Sequence, residues 1–251
     1  MDKLLFSLLD KLPPSVVDNQ TSMITIGTTL LVLLLTLVYF VFISKRRGGD
    51  RIAIVGLSES GKTVLFSQLV GRRNVTTLTS MRENEATFKV AGKPITLVDL
   101  PGYERLRVKS WEDIRDKTKA IVFLIDSHQV TANLRDVADY LFSIMTDKLV
   151  RSRRLPILIA CNKQDKLKSK AAKVIKSLLE KELSAVRETR LAALDSTDGE
   201  RDEGYETLGS MDKDFTFDDI RNRVDFVDCT ALSDDTSPAQ LESVIDWLGK
   251  I

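Results

Sequence analysis

Along this chain the spacing of apolar positions changes character once, near residue 50. Before it, Asp18 and Lys45 bracket 26 residues without a charge, and Ile24 to Ile43 is dense in Leu, Val, Ile and aromatic side chains. Twenty helical residues rise about 30 Å, the depth of a bilayer's hydrocarbon core, so residues 23–44 are predicted as a transmembrane helix. The stretch is too long and begins too late for a cleaved signal sequence. After residue 50, short β-branched runs alternate with longer helical repeats. Arg51–Val55 reads as a buried strand feeding a helix that runs through Leu69, and Ile95–Val98, Leu155–Ala160 and Val224–Asp228 read as further strands. Thr87–Val90, a turn at Ala91-Gly92-Lys93-Pro94 and the strand from Ile95 make a hairpin, which adds one antiparallel strand. Helices are predicted over Ser169–Leu194 and Ser237–Leu248. The second carries Leu241, Val244, Ile245 and Leu248 on one face, with Trp247 at the rim of the core. This alternation predicts an α/β, doubly wound domain with a six-stranded, mostly parallel sheet and its ligand at the carboxyl ends of the strands.

Charge then orients the pieces. Lys45, Arg46, Arg47 and Arg51 follow the apolar run, whereas Lys3 and Lys11 before it are offset by Asp2, Asp10 and Asp18. The positive flank places everything after residue 44 in the cytosol and leaves residues 1–22 as a short lumenal tail. In that tail Leu4, Leu5, Leu8, Leu9 and Leu12 could line one face of an interfacial helix ending before Pro13-Pro14, or fray. Residues 45–50 read as a basic linker with a Gly48-Gly49 hinge, and residues 51–251 as one cytosolic domain. The net charge of +1 over 251 residues gives no bulk attraction to nucleic acid. Divided at residue 50, the larger part is neutral, with 32 basic and 32 acidic side chains. Cys161 and Cys229 each end an apolar run and suit buried, reduced thiols. Residues 195–214, with eight acidic and two basic side chains, read as a flexible acidic insert. Lys168, Lys170, Lys173 and Lys176 read as a solvated face, and His128 as a loop cap.

Three motifs then carry chemistry. Gly56-Leu57-Ser58-Glu59-Ser60-Gly61-Lys62-Thr63 has the GxxxxGK[ST] spacing between a strand and a helix. Its glycines let backbone N–H groups curl around phosphate oxygens, Lys62 reaches the outer phosphates, and the Thr63 hydroxyl ligates Mg²⁺. The phosphate-binding set is Gly56, Ser58, Glu59, Ser60, Gly61, Lys62, Thr63 and Val64. A second strand ends in Asp99-Leu100-Pro101-Gly102-Tyr103. There Asp99 can hold Mg²⁺ through water, and the Gly102 N–H can donate to a terminal phosphate. A third strand delivers Asn162-Lys163-Gln164-Asp165, the NKxD pattern. The Asp165 carboxylate can accept from two N–H donors on one edge of guanine, which adenine cannot supply. Asn162 is expected to tie this loop to the phosphate loop, and the Lys163 stem to cover the base. Cys229-Thr230-Ala231, after the last strand, is placed to offer a backbone N–H to guanine O6.

With these residues in hand, the domain resembles a P-loop NTPase of the Ras-like small GTPase family, closest to the Arf and Sar branch. The membrane span, DLPG in place of DxxGQ, and Thr77-Leu78-Thr79-Ser80-Met81 are similar to the β subunits of the signal recognition particle receptor. That resemblance implies GTP and Mg²⁺ binding, a single-pass location in the endoplasmic reticulum membrane, and GTP-dependent binding of the receptor's α subunit. Proximity to ribosome and translocon, with no direct nucleic-acid contact, goes with it. It implies Thr79 as the threonine that closes over Mg²⁺ and the third phosphate, with Thr76 and Thr77 as competitors; the metal set is then Thr63, Thr79 and Asp99. Residues 72–83 and 101–112 become the partner-facing surface, with Tyr103, Leu106 and Trp111 as exposed anchors unless they join the core. Tyr103 stands after Gly102, where many small GTPases carry a water-orienting glutamine. A phenol lacks the amide fork, so Gly102 and Tyr103 position water weakly, and very slow intrinsic hydrolysis is expected. Two other readings stay open: an Arf-like trafficking GTPase that turns over GTP and recruits coat or tether proteins, and a non-enzymatic membrane anchor with structural GTP.

Overall fold

The computed structural model describes residues 20–46, 49–71, 82–90, 92–195, 208–209, 213–233 and 238–251. Thr76, Thr77 and Thr79, most of 72–83, the tail before residue 20 and most of the acidic insert lie outside the described residues. Two compact units divide the chain, residues 1–48 and 49–251.

The first unit contains helix α1 (Gln20–Arg46), 27 residues long and so wider at both ends than the predicted span. The hydroxyls of Thr28 and Thr29 donate back to the Thr25 carbonyl, and that of Thr36 to Leu33, so these polar groups are satisfied within the helix. Side chains at 24, 25 and 27–39 are described, and all are exposed. Among the described residues no helix is long and apolar enough to cross a membrane; the uncharged sequence of α1 itself runs from Gln20 to Ser44.

The second unit runs β1 (Arg51–Val55), α2 (Lys62–Gly71), β2 (Asn84–Val90), β3 (Lys93–Asp99), α3 (Glu104–Ile114), β4 (Thr118–Asp126), α4 (Leu134–Thr146), α5 (Lys148–Ser152), β5 (Ile157–Asn162), α6 (Ala172–Asp195), β6 (Val224–Asp228) and α7 (Glu242–Lys250). One six-stranded sheet has the order β2-β3-β1-β4-β5-β6. β2 is antiparallel to β3, and every other neighbouring pair is parallel. Strand periodicity builds both cores. Ile52 and Ile54 point to the face that carries Leu65 of α2 and Val244 and Leu248 of α7, while Ala53 and Val55 point to the face that carries Leu141 of α4 and Leu179 of α6. Burial on both faces explains the unbroken apolar run of β5. Cys161 and Cys229 are buried free thiols in opposite cores.

Chain order reverses about β1, whose neighbours are β3 on one side and β4 on the other, so a crevice opens beyond the carboxyl ends of β1 and β4. Register then sets the site residues side by side: Ile54 lies opposite Asp99, Asp126 opposite Asn162, and Cys161 opposite Asp228.

Several predicted boundaries move, each for a local reason. α6 begins at Ala172 rather than Ser169, because the Ser169 hydroxyl donates to the Lys163 carbonyl and the Lys170 N–H to Ser127. α7 begins at Glu242 rather than Ser237, since Gln240 is drawn into a two-way backbone bridge with Thr230. Ile245 is consequently exposed, and Trp247 is a core residue whose indole Nε1 donates to Asp225 at 2.7 Å. β2 starts at Asn84, three residues before the predicted hairpin arm. Leu208, inside the predicted acidic insert, is buried, and Arg187 donates to the carbonyls of Leu208 and Lys213.

Candidate nucleotide site

The phosphate loop joins β1 to α2 and has the geometry that its spacing predicts. Gly61 has φ +94°, and a Cβ there would lie 2.5 Å from the Asn162 amide nitrogen, so this position admits glycine alone. Glu59 also takes the left-handed conformation, at φ 63°. Ser58 and Glu59 are exposed; Gly56, Ser60 and Lys62 are buried; Val64 packs on the α2 and α7 core. The Lys62 ammonium donates to the Leu57 carbonyl at 2.7 Å. Burial lowers its pKa to about 8, against the pull of the nearby Asp99 carboxylate.

Asp99, at the end of β3, is fully buried. One carboxylate oxygen accepts from the Thr63 hydroxyl at 2.8 Å and from the Asn84 amide at 3.3 Å. Burial raises its pKa, opposed by those two hydrogen bonds and by Lys62. The other oxygen, Oδ1, is buried with no partner among the described residues, as is the Ser60 hydroxyl. A hydroxyl beside a carboxylate with a spare oxygen fits a divalent cation held mainly through water and phosphate. Gly102 closes the same wall: a Cβ there would fall 2.5 Å from the Lys62 ammonium and 2.7 Å from the Ser58 amide nitrogen. The next residue, Tyr103, is 44% exposed and stands at the N-cap of α3. On that helix Leu106 is half-buried and Val108 exposed, whereas Trp111, expected as an exposed anchor if not core, is buried with its indole donating to Asp147.

The base side is held by one amide. Asn162 is 2% exposed; its Nδ2 donates to the Ser60 carbonyl at 2.9 Å, and its Oδ1 accepts from the Ala231 N–H at 2.9 Å. It therefore joins the phosphate loop, the NKxD loop and the segment after β6, as predicted for the first of these links. The amides at 229–231, expected to include one that meets guanine O6, are engaged within the protein. Cys229 donates its N–H to Cys161, Thr230 to Gln240, and Ala231 to Asn162, so each of the three already has a protein acceptor. Lys163 adopts φ 66°, and its ammonium sits on Asp126 Oδ2 at 2.6 Å. Asp165 is exposed at the mouth of the crevice.

Four supporting residues escape the motif reading. Asp126 holds Lys163 with one oxygen and the N–H groups of His128 and Gln129 with the other. Burial alone would raise its pKa, but the Lys163 hydrogen bond and charge and those amides outweigh it and hold the carboxyl below its ordinary value. Gln164 directs its amide at Ser127 Oγ, the Lys170 carbonyl and Asp228 Oδ1, all within 3.1 Å. Asn84 lies in a strand that pattern alone starts too late. The shared signal for Asp126 and Asp228 was a carboxylate ending an apolar strand, the feature that drew attention to Asp99. His128 does cap its loop, its ring Nδ1 lying 2.9 Å from the Leu167 carbonyl.

The family profile described as signal recognition particle receptor beta subunit matches residues 48–224. The signal recognition particle receptor subunit beta of Mus musculus is 36% identical over 249 residues, covering 97% of this chain and 92% of the mouse protein. Among solved structures, a chain of the mammalian SRP receptor aligns with a TM-score of 0.70 and 34% identity, over 80% of this chain and 98% of that one. A Chaetomium thermophilum SRb-GTP/SRX receptor complex aligns at TM-score 0.61 and 21% identity, over 80% and 97% of the two chains. Both alignments cover the six-stranded Ras-like GTPase fold.

Proposed function

Because this chain belongs to the family of signal recognition particle receptor beta subunits, we propose that it is a membrane-anchored, GTP-gated subunit that binds the receptor's α subunit for cotranslational targeting to the endoplasmic reticulum. The observation that carries the nucleotide part is the Asn162 bridge, which fixes phosphate loop and base loop relative to each other. Gly56 to Val64 would wrap the phosphates, with Lys62 released from Leu57 to meet their charge. Asp165 would read guanine's edge, and the Ala231–Asn162 hydrogen bond is the one whose exchange would open an amide to O6. Thr63 and Asp99 would hold magnesium, which supplies charge neutralisation at the phosphates when bound. The relative from Chaetomium thermophilum that forms the SRb-GTP/SRX complex supports the gating and the partner.

The uncharged sequence of α1 and the basic residues Lys45, Arg46 and Arg47 after it support a single span with the GTPase domain on the cytosolic side. Exposed Tyr103, half-buried Leu106 and exposed Val108 mark the described part of the partner surface. Tyr103 leaves no amide to orient water, so hydrolysis is slow and the loaded state long-lived.

The full chain in lipid vesicles, loaded with a non-hydrolysable GTP analogue, GDP or an ATP analogue, tests this by capture of the α subunit. Capture is expected to be roughly 5–150-fold tighter with the GTP analogue than with GDP. Equal capture in both states would remove the gating, and ATP competing on par with GTP would remove the base assignment.

A further inference from the structure

At the amino ends of the parallel strands, opposite the nucleotide crevice, several segments are laced into one surface. The Asn222 amide donates to the carbonyls of Val150 and Leu155, the Ile157 N–H to that of Arg223, and the Arg153 guanidinium to that of Asp116. Gly49 enters beside them. A Cβ there would fall 2.0 Å from the Lys117 carbonyl oxygen, so this half of the predicted hinge is pressed on the backbone ahead of β4. Segments 49–51, 113–119, 147–156 and 220–225 of this surface carry ten basic and five acidic side chains, whereas residues 51–251 as a whole are neutral. Three of the carboxylates are engaged: Asp147 by Arg115 and the Trp111 indole, Asp225 by Arg223 and the Trp247 indole, and Asp116 by Arg153. Asp50 and Asp113 are exposed. Against them stand exposed Lys117, Lys148, Arg154 and Arg221, none within ion-pair distance of a carboxylate among the described residues.

We propose that this face docks on an anionic lipid surface and so fixes how the domain is presented there. The path of the chain argues for lipid over another polyanion. Only Arg47 and Gly48 separate the end of α1 from Gly49, a reach of about 11 Å at full extension. Lys45, Arg46 and Arg47 add three positive charges to that short connection. Attraction between basic side chains and anionic headgroups decays within a Debye length, about 8 Å at physiological salt, and a face entered by so short a tether is held within that range. The inference rests on the reading of α1 as the membrane span; it does not depend on the nucleotide.

Both native thiols are buried, so a Ser152→Cys substitution on this face can be labelled selectively with a fluorophore, and Leu167→Cys, exposed in the loop after the NKxD motif, serves as the distal control. The labelled full chain is reconstituted in vesicles that carry a headgroup nitroxide quencher, made of phosphatidylcholine alone or with phosphatidylserine. Quenching at 152 is expected to be several-fold stronger with phosphatidylserine than without it, and stronger than at 167. It should fade as salt rises from about 0.05 to 0.5 M. Lys148→Gln, Arg154→Gln and Arg221→Gln together should lower the docked-to-undocked ratio on the order of 100-fold, and an unchanged thermal melt certifies that variant's fold. Flotation with phosphatidylcholine vesicles tests the span by itself: its loss removes the span, while the phosphatidylserine effect at 152 decides the face in either case. Equal quenching on the two lipids, equal quenching at 152 and 167, or a triple variant that docks like the parent overturns the proposal. So does retention of RNA by this face without a phosphatidylserine effect, which would give it to a polyanionic macromolecule.

Discussion

At the phosphate end of the crevice, Lys62 and Asp99 are buried with part of their bonding capacity unmet among the described residues. At the base end, Asn162, Lys163 and Gln164 are bonded to other parts of the protein. The Lys62 ammonium has the Leu57 carbonyl, Asp99 Oδ1 and Ser60 Oγ have no partner among the described residues, and burial weakens both charges. Asn162 is satisfied on both sides of its amide, and Asp126 neutralises Lys163. The contrast separates two tasks. A preformed base loop costs little to organise on binding, whereas buried unmatched charge costs stability until a charged ligand arrives. Nucleotide should therefore stabilise the phosphate end more than the base end.

The largest break in that contrast is expected at Asp165, whose proposed role is recognition and whose side chain is exposed. Asp165→Asn exchanges an acceptor pair for an amide that can donate, so preference should swing from GTP toward xanthosine triphosphate by on the order of 10³-fold. Competition binding reads this, and an unchanged preference would remove Asp165 from the base site.

Lys62→Met should weaken GTP roughly 100-fold while leaving the nucleotide-free domain as stable as the parent or more so. Its pH dependence sharpens the point. With a folded pKa of about 8 against an ordinary 10.5, the folded state gives up its proton before the unfolded chain does. Between those values the parent's stability should rise with pH, by at most about 3 kcal/mol, and the advantage of Lys62→Met should vanish. Denaturant melts at pH 7.5 and 10 check this; parallel curves would mean Lys62 carries no burial cost.

Asn162→Ala removes two buried hydrogen bonds that hold loop to loop, and should cost about 2 kcal/mol of stability even without nucleotide. Urea unfolding measures it, and a neutral result would deny that the base end is preassembled. The smallest effect is expected at Asp126→Asn, which keeps acceptors for His128 and Gln129 but loses the charge opposite Lys163. Stability should fall by about 1 kcal/mol and nucleotide release should quicken a few-fold, as followed by a fluorescent GDP analogue.

Residues proposed to touch the phosphates or base were legible because their spacing is short-range. GxxxxGK[ST], DLPG and NKxD each sit in one turn between a strand and its successor, and the chemistry follows from residue type. Their supports were not legible, since Asn84, Asp126 and Asp228 meet the motifs only through strand register. The amides at 229–231 show the same limit from the other side: sequence could place them near the base but could not show that each already has an acceptor. Trp111 takes the core alternative and Ile245 leaves its expected buried face for a related reason. Helical periodicity tells which residues share a face, and only the packed neighbours decide how much of that face is covered.

The sequence by itself determined the alternation of strands and helices, the charge-balanced domain behind an uncharged apolar segment, and the order of three nucleotide motifs. Those are local matters, set by period, charge and turn chemistry. Tertiary structure alone decided that Asp99 keeps a buried oxygen unpaired among the described residues, and that one asparagine locks three loops. Such facts depend on distances between residues far apart in the chain, which no pattern along it encodes.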